Sequence, residues 1–540
     1  MTYAFVGDWM DTTHLKQSGI ADAGFDRLIG QGLKKERLTD RVFWLSTAAV
    51  ATLAFVVRLI TLGSRSLWTD EGYSFWFASQ SLHTLWHDVP YYETHPPFYY
   101  TLLKGWMAFA GTTEAALRMP SVLASVLTVV VLATGGRMLR AGRIGDQVSL
   151  LAALLLALNK GSIEFAQQAR PYALETLAVA LMTLCSVRLL MQMDPDHGVH
   201  NRQSSRFVPA ALCLTLSAAL TLWSHNTAMF TVFAVWVGLG TTLFTNPDHR
   251  VQRALVLFVT GAIAVAMWTP YIPFMIFQSR NVAANFWILL NWREFPTAWT
   301  LATGGKWAFI PMFAFVMLGL YEVWRRWRPL AIHLVCVIVI PFAIVVLISY
   351  LVRPIFMDRL FAWMAPEVVT LTALGIVVTP RFIPWQRFGF IAIIAVLSLG
   401  QNLKFYRHPS EDWRALTETI SSNARTGDLV ILDPNEAQPP LQFYARNEKQ
   451  FPPVLVVPGD FPAPGMARPY RAGNLGVPSP ADEDRPAIRA ACETHSRVWL
   501  VTRGVKTYDP TEIVRGEILD HKKLVRTFID SESYTLELFQ

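Results

Sequence analysis

The feature that most constrains this chain is a succession of long apolar runs. A helix needs about 20 mostly apolar residues to cross a hydrocarbon core of about 30 Å. Runs that meet or approach this length fall at roughly 43–62, 118–137, 147–160, 172–192, 207–223, 226–244, 254–274, 307–324, 330–350, 360–379 and 386–402, about eleven in all. The run at 147–160 is short, and a different reading of the division at Ser224-His225-Asn226 would change the count by one. Backbone polar groups in lipid must be satisfied within the segment, so such runs predict an α-helical polytopic membrane protein. Composition agrees. Of 540 residues, 52% are hydrophobic and 16% charged, against roughly 25% charged in soluble domains.

The cations follow a topology. With the N-terminus inside, the inner segments hold most of the arginines: Arg137/Arg140/Arg143, Arg202/Arg206, Arg250/Arg253, Arg325/Arg326/Arg328 and Arg381/Arg387. This asymmetry obeys the positive-inside rule. It makes 1–42 a cytoplasmic tail, places loop 63–117 outside, and through an odd number of spans puts 403–540 outside too. The first 42 residues contain no apolar core of a cleavable signal peptide, so the first run reads as an uncleaved signal anchor. No basic polar domain carries the net charge of +7, which argues for anionic lipid rather than nucleic acid. The four cysteines are scattered without metal-ligand spacing and read as small buried hydrophobes.

From about 403 the chain becomes polar and proline-rich. A helix-like EDWRALTETISSNA precedes the short apolar runs DLVILD, RVWLVTR and YTLELF, which predict buried strands of a small soluble α/β domain. The proline-rich stretch 452–485 reads as its loop. The membrane part is then 43–402.

The candidate chemistry clusters in Ser64–Tyr100, just past the first run. Rings interleaved with few charges suggest a segment at the membrane–water boundary. In a strand or loop, the neighbours Asp70 and Glu71 would point apart and do separate jobs. Asp70 suits proton acceptance from an attacking hydroxyl. Glu71 suits positioning the acceptor or neutralising an arginine; both also fit solvated surface charges. His95, ahead of Pro96-Pro97, is either held on a rigid ledge or left on a stiff exposed loop. In the next outer loop, Arg170 stands before Pro171 with Gln167 and Gln168 beside it. A guanidinium there can fork onto an anionic head group, or snorkel at a helix end. Arg353 and Arg359 flank PIFMD before the tenth run, outward cations that suit a phosphate-bearing ligand. There is no G-x-x-x-x-G-K-[ST], no G-x-G-x-x-G after a strand and no H-E-x-x-H, so ATP-driven transport and zinc proteolysis lack support.

Four motifs in order, W-T-D-E-G-Y-S-F, T-H-P-P-F-Y-Y-T-L-L-K, E-A-A-L-R-M-P-S-V-L and A-Q-Q-A-R-P-Y-A-L, resemble the bacterial GT-C glycosyltransferases related to protein O-mannosyltransferase and lipid A aminoarabinose transferase. The resemblance covers residues 43–200 best. It implies a GT-C fold of about eleven transmembrane helices with a small C-terminal α/β domain, in the bacterial inner membrane with the site on the periplasmic side. It maps the family's catalytic aspartate onto Asp70, with Glu71 as the second acidic residue. The Arg-x-Tyr element maps onto Arg170 and Tyr172. The family's usual Gln-Glu-Ala-Arg reads Gln167-Gln168-Ala169-Arg170 here, so it lacks the glutamate. Arg353 or Arg359 matches the basic residue that meets the donor phosphate.

Two functions are therefore expected to compete. One is an inverting glycosyltransferase moving a sugar from a polyprenyl-phosphate donor to a glycolipid, polysaccharide or protein hydroxyl. Its partners would be the lipid-linked donor, that acceptor and membrane lipid; no cofactor is required by the pattern, and a divalent cation stays open. The other is a non-catalytic transporter or flippase of a lipid-linked saccharide. That reading needs ionisable residues lining a path through the spans, for which Glu175, Arg188 and Glu367 are the candidates.

Overall fold

The computed structural model describes residues 37–193, 207–245, 249–281, 288, 291–380, 383, 385–407, 411–464, 466, 477–531 and 533–540. The tail before residue 37 and Arg202, Arg206 and Arg381 lie outside the described residues. Eight helices in the described part are long and apolar enough to span a membrane, from Asp40–Leu59 to Gln386–Arg407. Gly142–Leu158 and Lys160–Ala166 would make a ninth, bent by 62°. Two shorter apolar helices, Val208–Ser224 and Ala228–Phe244, account for the remaining runs. Val251, Phe258 and Ile310 are 82%, 72% and 73% exposed, as apolar side chains facing a bilayer would be.

Close helix contact explains part of the packing. A Cβ on Gly375 would overlap the Phe315 carbonyl, and one on Gly319 the Leu371 carbonyl. The backbones of Lys306–Arg326 and Ala365–Val378 therefore touch, as small residues allow between membrane helices. The bend at Asn159 strands the last carbonyls of the preceding helix. Fully buried Arg58 donates to the Leu156 and Ala157 carbonyls and, at 2.8 Å each, to Ser125 and Ser162. Asn402 donates to the Leu158 carbonyl at 2.9 Å. Cys185 and Cys213 are joined as a disulfide with Cα atoms 6.1 Å apart, which corrects their reading as plain hydrophobes; helix packing, invisible in their spacing, brings them together.

The C-terminal part is a five-stranded sheet of β1 (Leu429–Asp433), β2 (Val454–Val456), β3 (Val498–Arg503), β4 (Leu524–Asp530) and β5 (Tyr534–Phe539), ordered β2-β1-β3-β5-β4. β2, β1 and β3 are parallel, whereas β5 runs antiparallel to β3 and β4. Strand alternation sends Val430 and Leu432 toward Trp413, Leu416 and Leu441 on one face. It sends Leu429 and Ile431 toward Ile488, Cys492 and Ile518 on the other. The result is a three-layer α/β/α unit. β2 falls inside the expected proline-rich loop, and β4, an exposed edge reading LVRTFID, was not among the expected strands.

This unit sits on the segment that follows the first apolar helix, and that segment is helical rather than strand or loop. Asp70 and Glu71 lie in the first turn of Thr69–Ser79. Its Gly72 leaves room for Pro440, whose backbone nitrogen would be 2.8 Å from a Cβ. Leu67 N–H donates to Tyr444 Oη at 2.8 Å, and Arg414 donates to the Ser64 carbonyl at 3.0 Å. Of the aromatics expected at a lipid boundary, Tyr73, Phe77 and Tyr92 are buried here, and Trp68, Phe75, Trp76 and Trp86 are half-buried. Tyr73 stacks on Phe461 with centroids 4.8 Å apart, and Trp76 meets the same ring edge-on at 5.1 Å.

Candidate active site

Glu71 organises the ground around Asp70. It is fully buried, and Arg118 forks onto it, Nε to Oε1 at 2.8 Å and Nη2 to Oε2 at 2.7 Å. The Trp68 N–H donates to Oε2 at 3.3 Å, closing the first turn of the helix. The Ala169 N–H donates to Oε1 at 2.8 Å, so the same carboxylate fixes the loop that carries Arg170. Arg118 also donates to the Leu62, Arg65 and Ser66 carbonyls. Of the two roles foreseen for Glu71, neutralising an arginine is the one the contacts describe. It does not line the cavity where the other groups meet.

That cavity, about 540 Å³, lies between the ends of the membrane helices and the sheet. Asp70 opens onto it. Its Oδ2 is 3.5 Å from Arg359 Nη1 and 3.8 Å from Arg170 Nη2, ion pairs longer than a direct hydrogen bond. Arg170 is buried and donates to Tyr100 Oη at 3.2 Å. Its Nη2 also lies 3.2 Å from His95 Nδ1. The Nε atoms of Arg170 and Arg359 have no hydrogen-bond partner. His95 pairs with Glu93 and faces the rings of Tyr172 and His225, with His225 4.8 Å away. Burial and the guanidiniums of Arg170 and Arg359 hold the His95 imidazole well below its ordinary pKa. Burial likewise pushes the Glu93 carboxyl up, against the pull of Arg170. Among the described residues no three His, Cys, Asp or Glu side chains gather as a metal site, and Asp70 already faces two cations.

One end of the cavity is apolar, lined by Met229, Phe230, Met275, Ile355, Met357 and Leu360. The opposite end belongs to the sheet. Glu411 accepts from the Thr69 N–H at 2.9 Å, from Thr69 Oγ1 at 2.7 Å and from Arg503 at 3.1 Å. Glu436 pairs with Arg503 and accepts from the hydroxyls of Tyr508 and Tyr73.

No family model matches the chain, and neither does any curated relative. Solved structures do. ArnT from Cupriavidus metallidurans in the apo state superposes with a TM-score of 0.58 at 14% identity, over 93% of this chain and 98% of that one. The same protein bound to undecaprenyl phosphate gives 0.57 at 14% identity, over 92% and 98%. Archaeal oligosaccharyltransferase AglB from Archaeoglobus fulgidus, in complex with an inhibitory peptide and a dolichol-phosphate, gives 0.51 at 11%, over 92% and 74%. The chain has the GT-C fold.

Within this GT-C fold the expected residues divide. Asp70, His95, Arg170, Tyr172 and Arg359 line one cavity. Gln168 is half-buried and Arg353 exposed, and neither lines it. Gln167 instead donates to the Arg58 and Ile60 carbonyls. Glu93, His225, Glu411, Glu436, Arg503 and Tyr508 also line the cavity and were not among the expected site residues. Glu93 could have been found two residues before His95. The residues of the sheet could not, because about 340 to 440 positions separate them from Asp70 in the chain.

Proposed function

We propose that this protein is an inverting glycosyltransferase that uses a polyprenyl-phosphate sugar. The observation that carries the reading is the meeting of Asp70 with Arg170 and Arg359 in a cavity with one apolar end. The prenyl chain would enter over Met229, Phe230 and Ile355, and the phosphate would draw the two guanidiniums from their loose pairing with Asp70. Asp70 then takes the proton of the acceptor hydroxyl. The acceptor oxygen bonds to the anomeric carbon while the bond from that carbon to the phosphate oxygen breaks. Polyprenyl phosphate leaves with the electron pair, its charge met by Arg170 and Arg359, a type of stabilisation worth about 10²–10³ in rate per donor group. Glu71 positions Asp70 and Arg170 through Arg118, the Trp68 N–H and the Ala169 N–H.

The solved ArnT and AglB complexes hold undecaprenyl phosphate and dolichol-phosphate, which supports a lipid phosphate at this cavity. A flippase reading draws less support, since Glu175, Arg188 and Glu367 do not line it; Glu367 instead accepts from Thr183 at 3.0 Å. The site and the sheet lie on the periplasmic side in this reading, as the arginine distribution favours. Asp70→Asn in native-like membranes should lower release of polyprenyl phosphate from labelled donor by about 10²–10⁴-fold, and unaltered transfer would remove Asp70 from the mechanism. A cysteine in place of exposed Lys449 should react in intact cells with a membrane-impermeant maleimide. Labelling only after lysis would invert the topology.

A further inference from the structure

The sheet offers a second ligand feature beyond the charges around Asp70. From β1 the chain crosses to β2 on one side, then returns past β1 to β3 on the other, all three parallel. Strand order therefore reverses between β1 and β3. In open α/β sheets, ligands bind outside the carboxyl ends of the strands at such a reversal. Two loops leave from those ends, one carrying Glu436 after β1 and the other Gly504 to Tyr508 after β3. Both turn into the cavity that holds Asp70, which Glu436, Arg503, Thr507 and Tyr508 help to line.

We propose that this crevice is the acceptor subsite and takes a neutral, hydroxyl-rich glycan. The inference rests on the transferase reading and adds the acceptor's chemical class to it. The two ends of the cavity differ in charge. At one end two arginines face Asp70 and a Glu93 already engaged by His95 and Tyr100, which suits a phosphate; at the strand ends Glu411 and Glu436 face the single cation Arg503. A phosphate or carboxylate on the acceptor would meet that negative excess and be repelled. Sugar hydroxyls could donate to the oxygens of Tyr73 and Tyr508, whose own protons go to Glu436, and would find a dual partner in Thr507 and ring surface in Trp68 and Tyr508 for their C–H groups. The apolar end remains for the prenyl chain, so donor and acceptor approach Asp70 from opposite sides.

The test uses full-length protein in lipid nanodiscs with labelled polyprenyl-phosphate sugar. The probes are glycans extracted from envelopes of cells lacking this gene, separated by anion exchange into neutral and anionic fractions. Label should enter the neutral fraction. Tyr508→Phe and Thr507→Val each remove one hydroxyl, and Thr507→Val removes no side-chain hydrogen bond recorded within the protein. Each should raise KM for that fraction about threefold to tenfold, as loss of one hydrogen bond does, with kcat changed less than twofold. Label entering the anionic fraction would overturn the inference, as would a fall in kcat at constant KM in both variants. If the unaltered protein released no polyprenyl phosphate with any fraction, the transferase reading itself would fall and this inference with it.

Discussion

The carboxylate beside Asp70 makes the sharpest prediction. Glu71 is reached by four donors: Arg118 Nε and the Ala169 N–H at Oε1, Arg118 Nη2 and the Trp68 N–H at Oε2. Glu71→Gln keeps the shape but turns one of those oxygens into an amide NH₂. Whichever way the amide lies, its NH₂ faces one nitrogen of Arg118 and one backbone N–H, two donors against a donor. It also leaves the guanidinium without its counter-charge, with side chains only 3% and 0% exposed in the pair. Breaking one partner of such a buried pair costs about 3–5 kcal/mol, whereas an exposed pair is worth at most about 1 kcal/mol. Asp70→Asn breaks only the two longer contacts, at 3.5 and 3.8 Å, and should cost far less stability than Glu71→Gln. Denaturant titration in mixed micelles measures both variants, and donor turnover is read on the same preparations. The expected pattern is that Asp70→Asn loses turnover alone, while Glu71→Gln loses stability and turnover together. Glu71→Leu paired with Arg118→Met should recover part of the stability without turnover, because the Ala169 and Trp68 N–H groups still lack their acceptor. A cost near that of a surface pair for Glu71→Gln, or full turnover in it, would refute the idea that this residue sets the geometry of the site.

The remaining predictions concern the cations and the histidines. Arg359→Ala should lower donor turnover by about 10²–10³-fold, and Arg353→Ala by less than twofold, since only Arg359 lines the cavity; equal losses would reject the assignment of the phosphate to Arg359. Burial holds His95 and His225 well below the ordinary imidazole pKa. Below about pH 6.5 the unfolded chain therefore binds protons that the folded imidazoles refuse. Each contributes stability that is present above that pH and lost as pH falls toward the depressed value, up to about 1.4 kcal/mol per pH unit for each histidine. His95→Gln with His225→Gln should flatten the acid limb between pH 6.5 and 5 in the same denaturant titration; an unchanged slope would mean that neither ring is held neutral.

Much of the membrane architecture is legible in the chain, because each span must satisfy its own backbone and bury about 20 apolar residues locally. Asp70, Arg170 and Tyr172 are legible because they stand in short motifs next to the ends of spans. The disulfide between Cys185 and Cys213 is not, since which neighbouring helices touch is decided by packing. Nor is the choice between Arg353 and Arg359, which lie six residues apart on one connection, the first exposed and the second lining the cavity beside Asp70.

What the amino-acid sequence determined by itself was therefore the helical, polytopic character of the chain, the places of its apolar helices and the acidic pair that follows the first of them. Those properties depend on local composition. What only the tertiary structure decided was the division of labour in that pair and the second wall of the site. Glu71 turns inward because helical geometry rotates it away from Asp70 and onto Arg118. Glu411, Glu436 and Arg503 reach the cavity because a sheet formed far along the chain seats its strand ends on the helix Thr69–Ser79. Contacts across such separations have no local pattern to announce them.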